Sequence, residues 1–564
     1  MKHISYYISR TSLLLMAVAT TLASCTDKFE GMNINPVEVT PGQMEQDNLN
    51  VGAFFTQMEK GVLIVGKDMG GEYQITEMLT GDIFASYIAN INTYGYTAYH
   101  NDHYALYRDW YNAPFNDAYT NIMQPWKSIV DNTDETSVAR AMATVVKVLG
   151  MNRITDMYGP IPYSKFGKNI KVAYDSQKDI YYSFFDELDN AISVMTDYTT
   201  SNTKPYMAKY DYIYSGNISK WIKLANTLRL RLAMRISYVD EDKARTEAQA
   251  AIAHAGGLIT TKADAAILHQ SSTLSYVNPI WEVCESFKDM RMSATMDCYL
   301  NGLEDPRIEA YFTPAANGEY HGARNGMTDI NKDAWVAAAS SVNIAEGSDL
   351  TWMNAAESWF LMAEAKLRFG LGTSTVREYY EQGVHTSFDE HGCKGVAAYL
   401  ADDTKTPLTS YINPVTERST SVKKMVSKLC VAWDESANQD KKMERIMTQK
   451  WIALFPNGQE AWSEMRRTGY PGIIKIQDNE SNGEVKSGAL ISRLKFPTTE
   501  YSDNPDNTQA AIQLLGGNDT ALGGAGDDRG LPVSDGGEGV ARVAGRHDER
   551  RVCLRGIGHQ GAQD

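Results

Sequence analysis

Beyond its first thirty residues this sequence has no stretch of eighteen consecutive apolar side chains, which excludes a membrane-spanning helix from the body of the chain. It also has no C-x-x-C pair. Cys25 lies near the start, and Cys284, Cys298, Cys393, Cys430 and Cys553 are sparse and widely spaced, which excludes a disulfide framework and a zinc site. Cys284 and Cys298 either pair with each other or stand as buried free thiols. The body carries no cluster of five or six Lys and Arg. With 70 acidic against 54 basic side chains the formal charge is −16, so nucleic acid is excluded as a partner.

Catalytic signatures are equally scarce. Neither H-E-x-x-H nor G-x-S-x-G occurs, which removes the commoner zinc-protease and serine-esterase chemistries. The run from Gly61 to Asp68 approaches a phosphate loop, but Asp68 stands where Ser or Thr would hold Mg²⁺. Asp478-x-Glu480-x-Asn482-Gly483 begins like a calcium loop, yet its twelfth position is Ala489 rather than a bidentate carboxylate. A turn between two short extended segments is the expectation there. No catalytic residue, cofactor or metal ligand is assigned.

What is present starts at the N-terminus. Lys2 and Arg10 precede an apolar run from Leu13 to Leu22 that breaks off at Leu22-Ala23-Ser24-Cys25, the pattern of an export signal ending in a lipobox. Residues 1–24 read as a lipoprotein signal peptide, with Cys25 as the lipidation site. Residues 25–44, with Asn33, Asn35, Pro36 and Pro41, read as an extended linker from outer-membrane lipid to the body.

The helical period dominates from there. Met142, Val145, Val146 and Leu149 recur at i, i+3, i+4, i+7, as do Trp221, Leu224, Ala225, Leu228 and Leu232, and Ala356, Trp359, Phe360, Ala363 and Leu367. A helix from Glu444 to Leu454, stopped by Pro456-Asn457-Gly458, is followed by another from Glu460 to Arg467 that ends at Gly469. The pattern predicts a mostly α fold of tetratricopeptide-like helix pairs with little β structure. Long stretches without period, at 94–116, 273–326 and 472–492, read as irregular excursions and as the place for a binding surface.

Thirty-two Tyr and ten Trp against fifteen Phe favour rings with a polar edge, suited to stacking on sugars or peptides at a wet surface. Tyr104, Tyr107 and Tyr111 share a helical stripe and read as core packing. Tyr94, Tyr96 and Tyr99 read as ligand contacts. At the other end no Phe, Trp or Tyr follows Tyr501 and no Lys follows Lys495. This places the loss of the native frame near Thr520 and makes 521–564 a disordered, frameshifted or otherwise non-native tail.

Several blocks together resemble one family. Thr448-Gln449-Lys450-Trp451-Ile452-Ala453-Leu454-Phe455-Pro456-Asn457-Gly458-Gln459-Glu460-Ala461-Trp462, followed by Arg466-Arg467-Thr468-Gly469-Tyr470-Pro471, is similar to the C-terminal block of SusD/RagB-type lipoproteins of Bacteroidetes. Asp156 to Tyr163, Trp221 to Arg235, Asp305-Pro306-Arg307, Glu357 to Arg368 and Phe29 to Pro36 add to the resemblance. It implies a SusD-like, tetratricopeptide-containing binding domain over 45–520 rather than an enzyme. It further implies a lipid-anchored protein of the outer membrane that faces the exterior. Such a protein captures an oligosaccharide or peptide and hands it to a SusC-like, TonB-dependent β-barrel transporter. By analogy of position, the ligand-binding candidates are Asp82, Tyr94, Tyr96 and Tyr99 in the early loop, and Tyr276, Asn278 and Trp281 in the middle segment. A surface glycoside hydrolase or adhesin using the same loops is the alternative.

Overall fold

The computed structural model describes residues 48–95, 100–328 and 330–521. Its frame is a succession of antiparallel helix pairs. After α1 (Leu49–Gly61), α2 (Arg108–Ala118) and α3 (Gln124–Asp131) come α4 (Val138–Tyr158) against α5 (Gln177–Ser201), and α6 (Ile218–Arg235) against α7 (Glu241–Ala253). The series ends with α8 (Ala355–Phe369) against α9 (Val376–Glu390) and α10 (Gln439–Ala453) followed by α11 (Gly458–Thr468). α5 packs on α6, α6 on α8 and α8 on α10, so each pair buries the apolar stripe of its neighbour as in a tetratricopeptide array.

The helix starts follow side-chain chemistry. Asn217, Asp240, Asn354, Asn438 and Asn457 each accept from a first-turn backbone N–H, and Thr375 forms a capping box with Glu378. α8 and α11 stop at Gly370 and Gly469, both in the left-handed conformation that costs glycine least. The four stripe residues of α4 are buried, as are the five of α6. Trp359 and Leu367 of α8 are only partly covered and pack at the edge of the core.

The interior of the array is charged as well as apolar. Arg231 and Arg235 of α6, Lys450 of α10, and Arg467 of α11 face Asp156 of α4, Glu357 and Glu364 of α8, and Glu460 and Glu464 of α11, with Arg368 at the rim. Five cations thus meet five anions. Their spacings, Arg231/Arg235, Glu357/Glu364 and Glu460/Glu464/Arg467, put each set on one helical face, turned inward. Burial pushes the Glu464 carboxyl up, but Arg467, Lys450 and Arg235 outweigh it and hold the group well below the usual carboxylate range.

Among the described residues strand structure is confined to short antiparallel pairs: Ile88–Asn90 with Met290–Met292, Ala266–Leu268 with Leu350–Met353, Phe312–Thr313 with Ser341–Val342, and Ser410–Ile412 with Ser419–Ser421. Two of the expected irregular stretches are more ordered than their sequence suggests. The second half of 94–116 belongs to α2, while 273–326 holds short helices at Pro279–Trp281, Ala294–Gly302 and Arg307–Tyr311 and a π-helical turn at Glu282–Ser286. From Ala294 to Leu300 every residue is buried, so no amphipathic period exists to be read. The stretch 472–492 is irregular as expected, and Asn482 and Gly483 take positive φ in a turn. Tyr104 and Tyr111 are buried, and Tyr107 packs edge-on against Trp110, although only Tyr111 lies within α2. Cys284 and Cys298 are buried free thiols.

A π-helix at Gln74–Asp82 joins the early loop to the last helix pair. Contact with α11 is reciprocal: a Cβ on Gly81 would meet the backbone of Gln459 at 2.6 Å, and one on Gly458 would meet the backbone of Asp82 at 2.4 Å. Gly81→Ala is expected to cost about 1–3 kcal/mol by overpacking backbone that cannot withdraw. A Gly81→Ala melting temperature equal to wild type would refute that contact. At the far end Ala521, assigned from the sequence to the tail, is buried, and its carbonyl accepts from the N–H groups of Ser492 and Arg493. The packed body therefore includes Ala521. Residues 522–564, the signal peptide, Cys25 and the linker to Met44 lie outside the described residues.

Candidate functional site

The early loop and the middle segment meet over the strand pair Ile88–Asn90 and Met290–Met292. From the first strand the chain turns at Asn90 and Asn92, whose side chains bond to backbone N–H and C=O groups within the turn, and delivers Tyr94 at a positive φ of 53°. Tyr94 packs edge-on against Trp110 at 5.2 Å and lies 6.0 Å from the ring of His100, which stacks in turn on Trp110. Its hydroxyl oxygen accepts from Gln74 Nε2 at 3.0 Å. Burial first, then the charge of Asp289, pushes the phenol well above its ordinary range, so it stays protonated. Tyr96 and Tyr99 fall outside the described residues.

In the middle segment Asn278 caps the short helix Pro279–Trp281: Oδ1 accepts from Ile280 N at 3.0 Å and Trp281 N at 3.3 Å, and Nδ2 donates to Ser348 O at 3.1 Å. Trp281 itself is half-buried, and Phe287, past the π-turn, is 37% exposed. Asn278 thus orients Trp281 rather than offering its own amide. Tyr276 is a packing residue: it is 5% exposed and donates its hydroxyl to Leu268 O at 2.8 Å, leaving no ring face for a ligand.

Asp82 sits at the end of the π-helix, away from the ring cluster. It accepts from Gly458 N at 3.0 Å, and burial, reinforced by the charge of Glu77, pushes its carboxyl well above the usual range. With Asn278, Tyr73, Glu77 and His391 it lines a cleft of about 180 Å³. A smaller cavity of about 120 Å³ adjoins it, and the two share Thr351, His391, Pro456 and Asn457. Among the described residues no group of three or more His, Cys, Asp or Glu side chains is placed to hold a metal ion.

Glu390 borders the smaller cavity and accepts from Ala355 N at 2.6 Å, satisfying the start of α8. Burial raises its carboxyl to about 7. A raised carboxyl contributes stability that is complete below the unfolded value near 4.5 and is lost as pH rises through about 7. Glu390→Gln is therefore expected to flatten the decline in denaturation midpoint between about pH 5 and about pH 9. A variant that declines as steeply as wild type would refute this assignment.

The SusD-like family model, described as Susd and RagB outer membrane lipoprotein, matches residues 31–523. The chain belongs to the SusD-like family. A chitin-binding SusD homologue from Flavobacterium johnsoniae is 34% identical, with a TM-score of 0.80 over 86% of this chain and 99% of that one. A SusD homologue from Bacteroides uniformis is 35% identical at a TM-score of 0.77, over 84% of this chain and 98% of the other. One from Bacteroides vulgatus is 32% identical at a TM-score of 0.80, over 87% and 100%. No curated protein matches.

In this SusD-like chain the residues carrying the family resemblance lie apart from the ring cluster. Lys450, Glu460, Arg466 and Arg467 are buried in the helical array, and Arg307 is bonded to Asp305, Ser387 and Gln449 beneath α9. Of the residues that assemble the loop face, Trp110 lies in the aromatic segment from Tyr104 to Tyr111, whereas Gln74, Asp289 and Lys332 carried no sequence signal. Among the described residues no helix is long and apolar enough to cross a membrane.

Proposed function

We propose that this protein is a cell-surface lipoprotein, anchored through acylated Cys25 at the outer membrane. There it captures an oligosaccharide and passes it unaltered to a SusC-like, TonB-dependent β-barrel transporter. The observation that carries the reading is the ring cluster beside the strand pair Ile88–Asn90 and Met290–Met292, where Tyr94, half-buried on a hydrogen-bonded turn, packs on Trp110 of α2. A partly exposed ring held by such a turn suits a sugar face: stacking contributes affinity without enclosing the ligand, so release stays fast. The chitin-binding relative makes β-linked amino-sugar oligomers the first ligands to test.

The test is an affinity-gel panel of purified polysaccharides, glycol chitin included, run with wild type, Tyr96→Ala and Trp281→Ala. Wild type is expected to be retarded by at least one glycan without releasing product, and each substitution to weaken that binding roughly ten-fold or more. Turnover of the glycan would favour the hydrolase alternative. Failure to bind any glycan, with retention on a peptide column, would favour a peptide ligand. Solubilised outer membranes should also yield the protein together with a larger barrel protein, and isolation without one would count against the transporter partnership.

A further inference from the structure

We propose that Asp289 is a positioning residue for the ligand loop, fixing where Tyr94 stands beside the strand pair Ile88–Asn90 and Met290–Met292. The inference rests on the glycan-capture reading for its functional consequence, though not for its structural one.

Asp289 is 5% exposed at the start of the strand Met290–Met292. Its carboxylate Oδ2 accepts from Gln74 Nε2 at 2.9 Å, and Oδ1 accepts from Asn92 Nδ2 at 2.7 Å and from Lys332 Nζ at 2.5 Å. Two of these partners hold the two ends of one residue. Asn92 Oδ1 accepts from the backbone N–H of Tyr94 at 3.1 Å, while Gln74 Nε2 also donates to the Tyr94 hydroxyl at 3.0 Å. The backbone and the ring tip of Tyr94 are thus each one side chain removed from the same carboxylate. On its other side Asp289 takes hold of the middle segment: its N–H donates to Val283 O at 3.1 Å, and its C=O accepts from Ile91 N at 2.9 Å. Lys332 completes the junction by donating to Phe287 O at 2.8 Å.

The three bonds to the carboxylate, from Gln74, Asn92 and Lys332, are charge-assisted, the class that fixes geometry most firmly. No neutral side chain of this size replaces the carboxylate: an amide at position 289 would turn a donor toward Gln74 or Asn92, which both already donate. One tie to the loop must then break. Lys332, whose side chain is 36% exposed, neutralises the carboxylate and is replaceable without opening the core.

The experiment compares wild type, Asp289→Asn, Asn92→Ala and, as a control, Arg245→Ala, which breaks an exposed pair on α7, by hydrogen exchange and by retention on glycol chitin, or on the best ligand of the panel. Peptides covering 88–95 and 100–107 are expected to exchange faster in Asp289→Asn and Asn92→Ala, with helical peptides such as those of α4 unchanged and Arg245→Ala like wild type. Affinity is expected to fall at least about five-fold in Asp289→Asn. The penalty for Tyr94→Ala should shrink when Asp289→Asn is already present, because a displaced ring has less to lose. Unchanged exchange in both variants, or a Tyr94→Ala penalty equal in the two backgrounds, overturns the proposal. If no glycan binds wild type at all, the capture reading falls and the exchange experiment alone decides the role of Asp289. If Asp289→Asn does not fold, Asn92→Ala, which removes a single tie, decides it.

Discussion

Arg467→Ala is expected to destabilise the protein by about 3–5 kcal/mol, because it removes one partner from buried ion pairs and leaves the others uncompensated. Arg467 is fully buried and grips Glu364 with two bonds of 2.6 and 2.7 Å, Glu464 with two more of 2.6 and 3.1 Å, and Ser237 with a fifth of 3.2 Å. Burial alone would disfavour its charge, yet Glu364 and Glu464 more than restore it. Without the guanidinium, two carboxylates face one another in the interior with only Arg235, Lys450 and Arg368 to share. Differential scanning calorimetry should show a fall in Tm of roughly 3–5 °C. Arg245→Ala, which breaks an exposed pair with Glu241, is expected to change stability by no more than about 0.5 kcal/mol. Equal melting of the Arg467 variant and wild type would show that the array does not depend on its charges. The same groups set an acid limit. Glu464 is depressed, so its contribution is present above the unfolded carboxylate value and is lost as pH falls through the folded one.

Trp462→Ala is expected to cost a further set of contacts of comparable size, about 3–5 kcal/mol. The indole is fully buried, lies 5.0 Å from Phe84, and is covered by the Arg466 guanidinium at 3.8 Å. Its N–H donates to Ile491 O at 3.0 Å, so it fastens the irregular stretch 472–492 to α11. Trp462→Phe should cost less, keeping most of the packing but leaving the Ile491 carbonyl unpaired for about 1–3 kcal/mol. A urea midpoint for Trp462→Phe equal to wild type would remove the hydrogen bond from that account.

Both residues belong to the sequence block that resembled the family, which explains how far the sequence could be read. Apolar stripes such as Trp221 to Leu232, and caps such as Asn457, follow helical spacing and turn chemistry, so the helix pairs were legible directly. Glu460, Glu464 and Arg467 were legible as a pattern but not as a purpose. Charges at helical spacing usually lie on a solvated face, and only the packing of α6, α8, α10 and α11 reveals that these turn inward. The loop face was less readable. Tyr94 and Tyr276 look alike in sequence as rings in irregular chain, yet Tyr94 is half-buried beside the strand pair and Tyr276 is core. What separates them is that the Leu268 carbonyl takes the Tyr276 hydroxyl while the Tyr94 hydroxyl accepts from Gln74, contacts that no local spacing encodes. Asp289 left no trace for the same reason: its partners Gln74, Asn92 and Lys332 lie 215, 197 and 43 residues away.

The π-helix Gln74–Asp82 has Gln74 beneath the ring of Tyr94 at one end and Gly81 wedged on α11 at the other. A spindle held at both ends couples Tyr94 to the helical body. If the protein docks on a transporter as proposed, Tyr94 is expected to travel with that body rather than on a hinge of its own.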